Sequence, residues 1–163
     1  MKPKREKIET VLARRHWEKQ GRAAPPIAVL VHSLHEQFSE DLMQRLEPHG
    51  VQFSDWGALT TLYHSGEPYC QTPTEICHGM LFTSGAISKI LVRLERLGMV
   101  ERVENPEDQR SKLAKLTAKG LNCVRTVQSQ LKDIEHQQLK GLNKEELNTL
   151  EQLLTKLHNN WES

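Results

Sequence analysis

The sequence predicts a mainly α-helical fold that contains a winged helix-turn-helix, and three observations support this prediction. Apolar residues recur every three or four positions over most of the 163 residues, which is the spacing of amphipathic helices. Between residues 71 and 98, a short capped segment precedes a longer amphipathic one. Two segments of roughly alternating apolar and polar residues follow, separated by the turn residues 105–108. A helix pair followed by a β-hairpin is the order of a winged helix-turn-helix.

Three helices are predicted ahead of this unit. Residues 5–20 are expected to form a basic amphipathic helix. Residues 27–46 are expected to form a long, rather apolar helix that ends before Pro48. Ser54 is predicted to cap a third helix, which runs to about His64. The N-terminal half of the chain is therefore expected to be helical.

The helix-turn-helix is predicted from its caps and from one apolar stripe. Thr72 and Glu75 form a capping box, with Pro73 at the first helical position. Thr83 can cap the second helix, and Gly98 ends it. The stripe that this second helix buries consists of Ile87, Ile90, Leu91, Leu94 and Leu97. Strands are expected over residues 99–104 and 111–117.

Two long helices are predicted at the C-terminal end. The first begins at Gly120 or Leu121, and Asn143 with Glu146 caps the second. The apolar seam of the last helix consists of Leu147, Leu150, Leu154, Leu157 and Trp161. Such a seam requires a partner helix, so we expect a homodimer.

These elements predict three parts of the chain. Residues 1–24 form an N-terminal extension helix. Residues 25–50 and 121–163 form a helical dimerisation region. Residues 51–120 form the winged helix-turn-helix, the part expected to bind double-stranded DNA.

The outer face of the second helix suits DNA, because short hydroxyls lie near its start and long cations lie further along. We expect four residues to approach base edges: Ser84, Gly85, Ser88 and Lys89. Arg93 or Arg96 would contact phosphate, although both could instead be solvated surface charges. Arg110 at the wing tip would enter the minor groove, held by Asp108.

The distribution of charge favours the same interpretation, although the net charge of the chain is only +1. Residues 84–119 hold eight Lys/Arg and five Asp/Glu, a net of +3, and residues 1–22 hold eight and three, a net of +5. Residues 23–83 hold one Arg and seven acids, a net of −6. Positive charge is therefore concentrated in the predicted DNA-reading segment and at the N-terminus.

Three motifs resemble the MarR family of bacterial transcription regulators. They are LERLGMVER at residues 94–102, DQRS at 108–111 and LTAKG at 116–120. The resemblance covers about residues 26–157, and it implies a homodimeric repressor on a pseudo-palindromic operator. Its two reading heads would lie about one DNA turn apart, roughly 34 Å. GEPY at residues 66–69 ahead of TPTE is similar to the PecS-type and urate-responsive branch, which carries an extra N-terminal helix with a Trp.

The resemblance also implies an effector cleft between the dimer helices and the reading head. In the urate-responsive branch a Trp, an acidic residue and two arginines hold the anion. Trp17 matches the Trp, but the acidic position falls on Gly57, with Asp55 nearby, and the arginine positions fall on Thr72 and Lys89. Because lysine lacks the guanidinium fork, urate is not expected to bind well.

Aromatic walls with a few polar groups instead suit a flat, weakly acidic phenolic or aryl-carboxylate effector. The residues expected to bound this cleft are Trp17, His32, Trp56 and Lys89. Core packing alone is the competing interpretation of Trp56.

Two other classes of protein stay open. Cys70, Cys77 and Cys123 could sense oxidants, or they could be small core residues. The winged helix could also serve protein contacts. His32 and His35 have the spacing of metal ligands, but we interpret them as polar imidazoles.

Several functions are not expected. Nothing resembles a nucleophile–base pair, a phosphate loop or a metal site, so neither an enzyme nor a cofactor is predicted. No apolar run approaches the roughly 18 residues that a membrane span requires, and no secretory segment follows Met1. We therefore expect a cytoplasmic protein.

Overall fold

The computed structural model describes residues 10, 27–80, 87–108 and 110–161. Within these residues lie six α-helices, one short 3-10 helix at Glu47–His49 and three short strands. In chain order the elements are α1 (Ile27–Leu46), α2 (Phe53–His64), β1 (Cys70–Gln71), α3 (Pro73–Gly79), α4 (Ile87–Arg96), β2 (Val100–Glu104), β3 (Lys112–Leu116), α5 (Ala118–Gln138) and α6 (Lys144–Trp161). No helix in the described part is long and apolar enough to cross a membrane. The predicted mainly α-helical winged fold is confirmed.

The contacts divide the chain into two compact units, residues 1–41 and 42–163. In the first unit, α1 leaves its apolar side chains exposed. Their exposed fractions are 64% for Ile27, 42% for Val31, 53% for Leu34 and 45% for Phe38. Exposed apolar area of this size on one helix is typical of a contact surface.

The second unit contains the hydrophobic core. Leu59 and Leu62 of α2, Leu91 and Leu94 of α4, and Val124 of α5 are fully buried. Because α2, α4 and α5 all contribute to it, this core holds the amphipathic helix α4 against the rest of the unit.

A three-stranded antiparallel sheet in the order β1–β3–β2 flanks this core. In the hairpin, Val100 lies opposite Leu116 and Glu104 lies opposite Lys112, and this hairpin is the predicted wing. β1 was not predicted. Its two residues pair with β3, Cys70 opposite Lys115 and Gln71 opposite Ala114.

The end of α4 and the start of the wing confirm the sequence prediction. Three residues of the predicted stripe, Ile90, Leu91 and Leu94, are at most 2% exposed, and the two end residues, Ile87 and Leu97, are half-buried. The helix ends at Arg96, and Gly98 follows with a φ of +69°. This left-handed conformation, which glycine adopts without strain, lets the Met99 N–H donate to the carbonyl of Leu94 and turns the chain into β2.

The LTAKG segment joins the wing to α5 through three residues. Leu116 is buried at the end of β3. The Thr117 hydroxyl accepts the Gly120 N–H at 3.1 Å and donates to the Gly98 carbonyl at 2.7 Å. A Cβ at Gly120 would lie 2.1 Å from the Met99 carbonyl oxygen. The motif therefore caps α5 and packs its first turn against the strand.

One predicted cap and one predicted helix start differ from the structure, and two predicted capping boxes agree with it. The cap of α2 is Gln52, not Ser54, because Asp55 closes a capping box with the Gln52 backbone. α5 begins at Ala118, two or three residues before the expected Gly120 or Leu121, because Thr117 is its N-cap. The capping boxes predicted at Thr72 and Asn143 are both present.

Two predictions fall outside the described residues. The N-terminal helix predicted over residues 5–20 is one, apart from residue 10, and the cap predicted at Thr83 is the other.

Candidate nucleic-acid interface

The outer face of α4 is polar, cationic and accessible. Ser88, Lys89 and Arg96 are all exposed, and Val92 between them is 61% exposed. These residues lie on one side because they are spaced by three and four positions. Ser84 and Gly85, which were predicted to approach base edges, lie outside the described residues.

Arg93 does not belong to this face. Its Nε donates to both carboxylate oxygens of Asp55, at 2.9 and 2.8 Å, and its Nη2 also contacts that carboxylate. Nη2 further donates to the Ser54 hydroxyl at 3.3 Å. Since the guanidinium is directed into the reading head, we correct the expectation that Arg93 contacts phosphate and retain Arg96 as the candidate.

The burial of the Asp55 carboxylate explains why the Arg93 guanidinium is directed toward it. It is 0% exposed, and its Oδ2 also accepts the Gln52 N–H at 2.9 Å. Its hydrogen bonds to Arg93 raise the pKa of that guanidinium. A buried carboxylate requires such partners because it has lost its hydration.

The wing tip is organised by hydrogen bonds among polar residues. The Asn105 side chain is buried; its Nδ2 donates to the Ser111 hydroxyl at 2.8 Å, and its Oδ1 accepts the Glu107 N–H at 3.0 Å. The carboxylate of Asp108 accepts the Arg110 N–H at 3.0 Å. Asp108 therefore holds Arg110 through the backbone, and Arg110 is exposed at the tip.

Ion pairs occupy the other cations of the wing. Lys112 lies 3.6 Å from Glu104, and Lys115 lies 3.9 Å from Glu101. The Nε of Arg102 donates to Glu95 of α4 at 2.7 Å, which ties the wing to that helix. Among the described contacts, no ion pair involves the three remaining cations, Lys89, Arg96 and Arg110. They are available to a polyanion.

A cavity of about 650 Å³ lies between α2, β1, the end of α3 and α5. Its lining includes Trp56, Gly57, Thr60, Thr61, Gln71 and Gln128. Trp56 is therefore both a core residue and a wall of the cavity. Of the other predicted effector residues, Lys89 is on the outer face of α4 and is not among the described lining residues, His32 is an exposed residue of the first unit, and Trp17 lies outside the described residues.

Several polar groups of this cavity can accept a hydrogen bond from a ligand. The hydroxyls of Thr60 and Thr61 already donate to the carbonyls of Trp56 and Gly57, at 2.9 and 2.8 Å. The Oε1 of Gln71 is buried and has no hydrogen-bond partner. A ligand that donates hydrogen bonds would satisfy these oxygens.

Cys70 and Cys123 lack the environment of a reactive thiolate. Cys123 is 1% exposed, and burial raises its pKa; burial also raises the pKa of Cys70. Cys77 is half-buried, and none of the three forms a disulfide. Among the described residues, no group of three His, Cys, Asp or Glu side chains could hold a metal ion.

Fold and exposed face together define a winged helix-turn-helix protein, and the comparisons with known proteins agree. A model of the MarR family matches residues 49–111. The multiple antibiotic resistance protein MarR of Escherichia coli K12 is 31% identical over 133 residues, which cover 81% of this chain and 90% of the relative. The chain therefore belongs to the MarR family of transcriptional regulators.

Two further comparisons extend this result. The HTH-type transcriptional repressor IacR of Pseudomonas putida is 25% identical over 82% of this chain and 76% of its own length. The structure of a MarR mutant from E. coli in complex with operator DNA has a TM-score of 0.69 and 29% identity; the match covers 81% of this chain and 93% of that one.

Proposed function

We propose that this protein is a sequence-specific repressor that binds a pseudo-palindromic operator as a homodimer. The observation that carries the proposal is the set of exposed cations without ion pairs, Lys89 and Arg96 on α4 and Arg110 on the wing tip. α4 would lie in the major groove, where Ser88 and Lys89 reach base edges, and the wing would reach the minor groove. The relative whose structure contains operator DNA supports this assignment.

The homodimer is supported by apolar side chains that nothing in the described chain covers. Leu150, Leu153 and Leu154 of α6 are 40%, 60% and 49% exposed. A second copy would bury them against its own terminal helices, as the predicted dimerisation region over residues 25–50 and 121–163 requires. Two heads held in one dimer bind two half-sites together, which raises affinity without further contacts.

Binding to the DNA that flanks the protein's own gene tests the proposed function. The wild type should bind this DNA better than unrelated DNA, with an affinity that falls as salt rises. Arg110→Ala removes two contacts from the dimer, so the affinity should fall, and each lost phosphate contact should lower the salt slope by about 0.9.

Lys140→Ala, which removes an exposed cation between α5 and α6, is the matched control and should leave both quantities unchanged. Salt-independent binding of a protein partner that ignores Arg110→Ala would instead favour the winged helix as a protein-contact module.

We further propose that the cavity beside Trp56 binds an effector that releases DNA. Because its hydroxyls and the Gln71 amide oxygen present acceptors, and because no Lys or Arg is among its described lining residues, it suits a flat neutral ligand with an O–H or N–H group. A phenol fits this description better than an aryl carboxylate or urate, whose negative oxygens require cationic donors.

Paired titrations with phenol and benzoate, which share one ring, test the effector proposal. Phenol should quench Trp fluorescence and weaken operator binding, and Gln71→Met should reduce both responses because it removes the buried acceptor. Benzoate should act more weakly. Release of DNA by benzoate or urate, with phenol inactive, would contradict the proposal.

A cysteine-based redox switch remains the second candidate. It predicts that peroxide titrates thiols and releases DNA in parallel. The burial that raises the pKa of Cys70 and Cys123 argues against it, because the thiolate is the reactive species.

A further inference from the structure

The ion pair between Asp55 and Arg93 joins two helices that are distant in sequence. Asp55 lies in the first turn of α2, and Arg93 lies on α4, thirty-eight positions later. The carboxylate is fully buried, and the guanidinium side chain is 25% exposed. Two donors of the same guanidinium reach one carboxylate, with both Oδ atoms engaged. This fork fixes direction as well as distance.

Stability alone does not explain such a pair. Removing two charges from water costs about as much as their mutual attraction returns, so apolar replacements of a buried ion pair are often neutral or stabilising. Arg93 also donates to Ser54 of α2, and the other side chains that α2 and α4 share in the core, including Leu59, Leu91 and Leu94, are apolar. Hydrophobic contacts are non-directional. The fork is therefore the directional component of this helix–helix contact.

We propose that Asp55 and Arg93 are positioning residues for DNA recognition. Their ion pair sets the rotation and tilt of α4 on α2, and Arg93 acts on DNA through Asp55 rather than by touching phosphate. This inference rests on the proposed function, because α4 must be the helix that reads bases.

The position of the pair on α4 explains why it would affect base reading. Arg93 lies one helical turn after Lys89, and the ten described residues of α4 span about 15 Å. The cations that neutralise phosphate would remain in place if the pair were lost. The angle at which side chains meet base edges would change, and bidentate base contacts depend on that angle. Loss of the pair should therefore reduce specific binding and spare non-specific binding.

The test is a double variant, Asp55→Asn/Arg93→Met, compared with the wild type on the operator and on unrelated DNA over a range of salt. It removes one negative and one positive charge, so the net charge of the reading head is unchanged. Asn retains an acceptor for the Gln52 N–H that now bonds Asp55. The wild type is measured first, and absence of any sequence preference there would count against the proposed function and not against the ion pair.

The matched control is Glu95→Gln/Arg102→Met. It removes the other ion pair of α4, whose side chains are 35% and 26% exposed, again without a change of net charge. Circular dichroism at the assay temperature establishes that each variant is folded.

We expect the Asp55→Asn/Arg93→Met variant to lose operator affinity by about tenfold or more, with unchanged affinity for unrelated DNA and an unchanged salt slope. The control should retain its specificity ratio within about twofold. An unchanged operator affinity in the folded double variant would overturn the proposal. So would a parallel fall in both affinities with a salt slope lower by about 0.9 per contact, since that identifies Arg93 as a phosphate contact.

If the double variant does not fold, the Arg93→Lys variant tests the positioning role instead, because it keeps the charge and removes the guanidinium fork. A lower specificity ratio in Arg93→Lys supports the positioning role, and an unaltered ratio overturns it.

Discussion

Helices α4 and α6 carry the same kind of amphipathic pattern but place it in different environments. The centre of the α4 stripe, Ile90, Leu91 and Leu94, is at most 2% exposed within its own chain. The corresponding positions of α6 are open, with Leu150 and Leu154 40% and 49% exposed. Periodicity therefore identifies a helix with an apolar face, but it does not say whether that face is covered by the same chain or by another.

The difference separates two tasks within the molecule. If α4 reads DNA as proposed, it must hold a fixed orientation, and the contacts of its buried stripe and its ion pair with Asp55 lie within one chain. The exposed leucines of α6, including Leu150 and Leu154, are the surface that the proposed subunit contact would cover. Substitutions on α6 should consequently change dimerisation, and substitutions on α4 should change the stability of the single chain.

Leu154→Asp on α6 is expected to have the largest effect. It would place an unpaired carboxylate in the proposed subunit contact, once in each copy, and weaken dimerisation by about 3–5 kcal/mol. Light scattering at micromolar concentration should show a dimer for the wild type and a monomer for the variant. Thr155→Asp, an exposed neighbour with the same new charge, should remain dimeric. A well-folded monomeric wild type would refute the dimer.

Leu94→Ala on α4 is expected to act within the chain. Leu94 is 0% exposed, so the lost burial and the resulting cavity should lower the free energy of unfolding by about 2–5 kcal/mol. Urea denaturation at one fixed protein concentration measures this change. Val92→Ala, on the exposed face of the same helix, should change stability by less than about 0.5 kcal/mol. Equal effects at the two positions would contradict the assigned face.

The capping boxes of α3 and α6 can be compared directly, and their loss is expected to have the smallest effect on stability. Thr72→Ala removes the side chain that accepts the Glu75 N–H and should reduce stability by about 1 kcal/mol. Asn143→Ala should act similarly at the start of α6 and should also weaken the dimer. Thermal unfolding and light scattering distinguish the two.

The cap of α3 also predicts a pH dependence. Hydrogen bonds from Thr72 lower the pKa of Glu75 below its ordinary value. Its contribution is therefore present at neutral pH, above the unfolded-state pKa, and is lost as pH falls through the folded-state pKa. At neutral pH the Glu75→Gln variant should melt at a lower temperature than the wild type. This difference in melting temperature should become smaller in acid. A difference that is constant with pH would exclude this role for the carboxylate.

Local signals in the sequence predicted most of the fold. Thr72 with Pro73 and Glu75 begins α3, and Gly98 follows the end of α4, because caps depend only on neighbouring residues. β1 was missed because two residues, Cys70 and Gln71, are too short to show a period. The cap at Gln52 was missed because Ser is the commoner N-cap residue.

The candidate site was less predictable, because its contacts join distant parts of the chain. Arg93 lies three residues from Ile90 and four from Leu97, at the edge of the buried stripe, so spacing alone allowed either direction. Its partner Asp55 is thirty-eight positions away. The buried Asn105 of the wing and the acceptor Gln71 of the cavity likewise depend on pairings that no local pattern reveals.

Because α5 is long and is closely packed at Gly120, a small tilt at this residue would move the far end of the helix by several ångströms. Its first turn rests on the Met99 carbonyl, where a Cβ would lie 2.1 Å from the oxygen. Helix α5 has 21 residues and is therefore about 31 Å long. A tilt of about 5° at Gly120 would move the far end of the helix by about 3 Å. In the proposed dimer that end leads to the subunit contact, so the packing at Gly120 would influence the distance between the two reading heads.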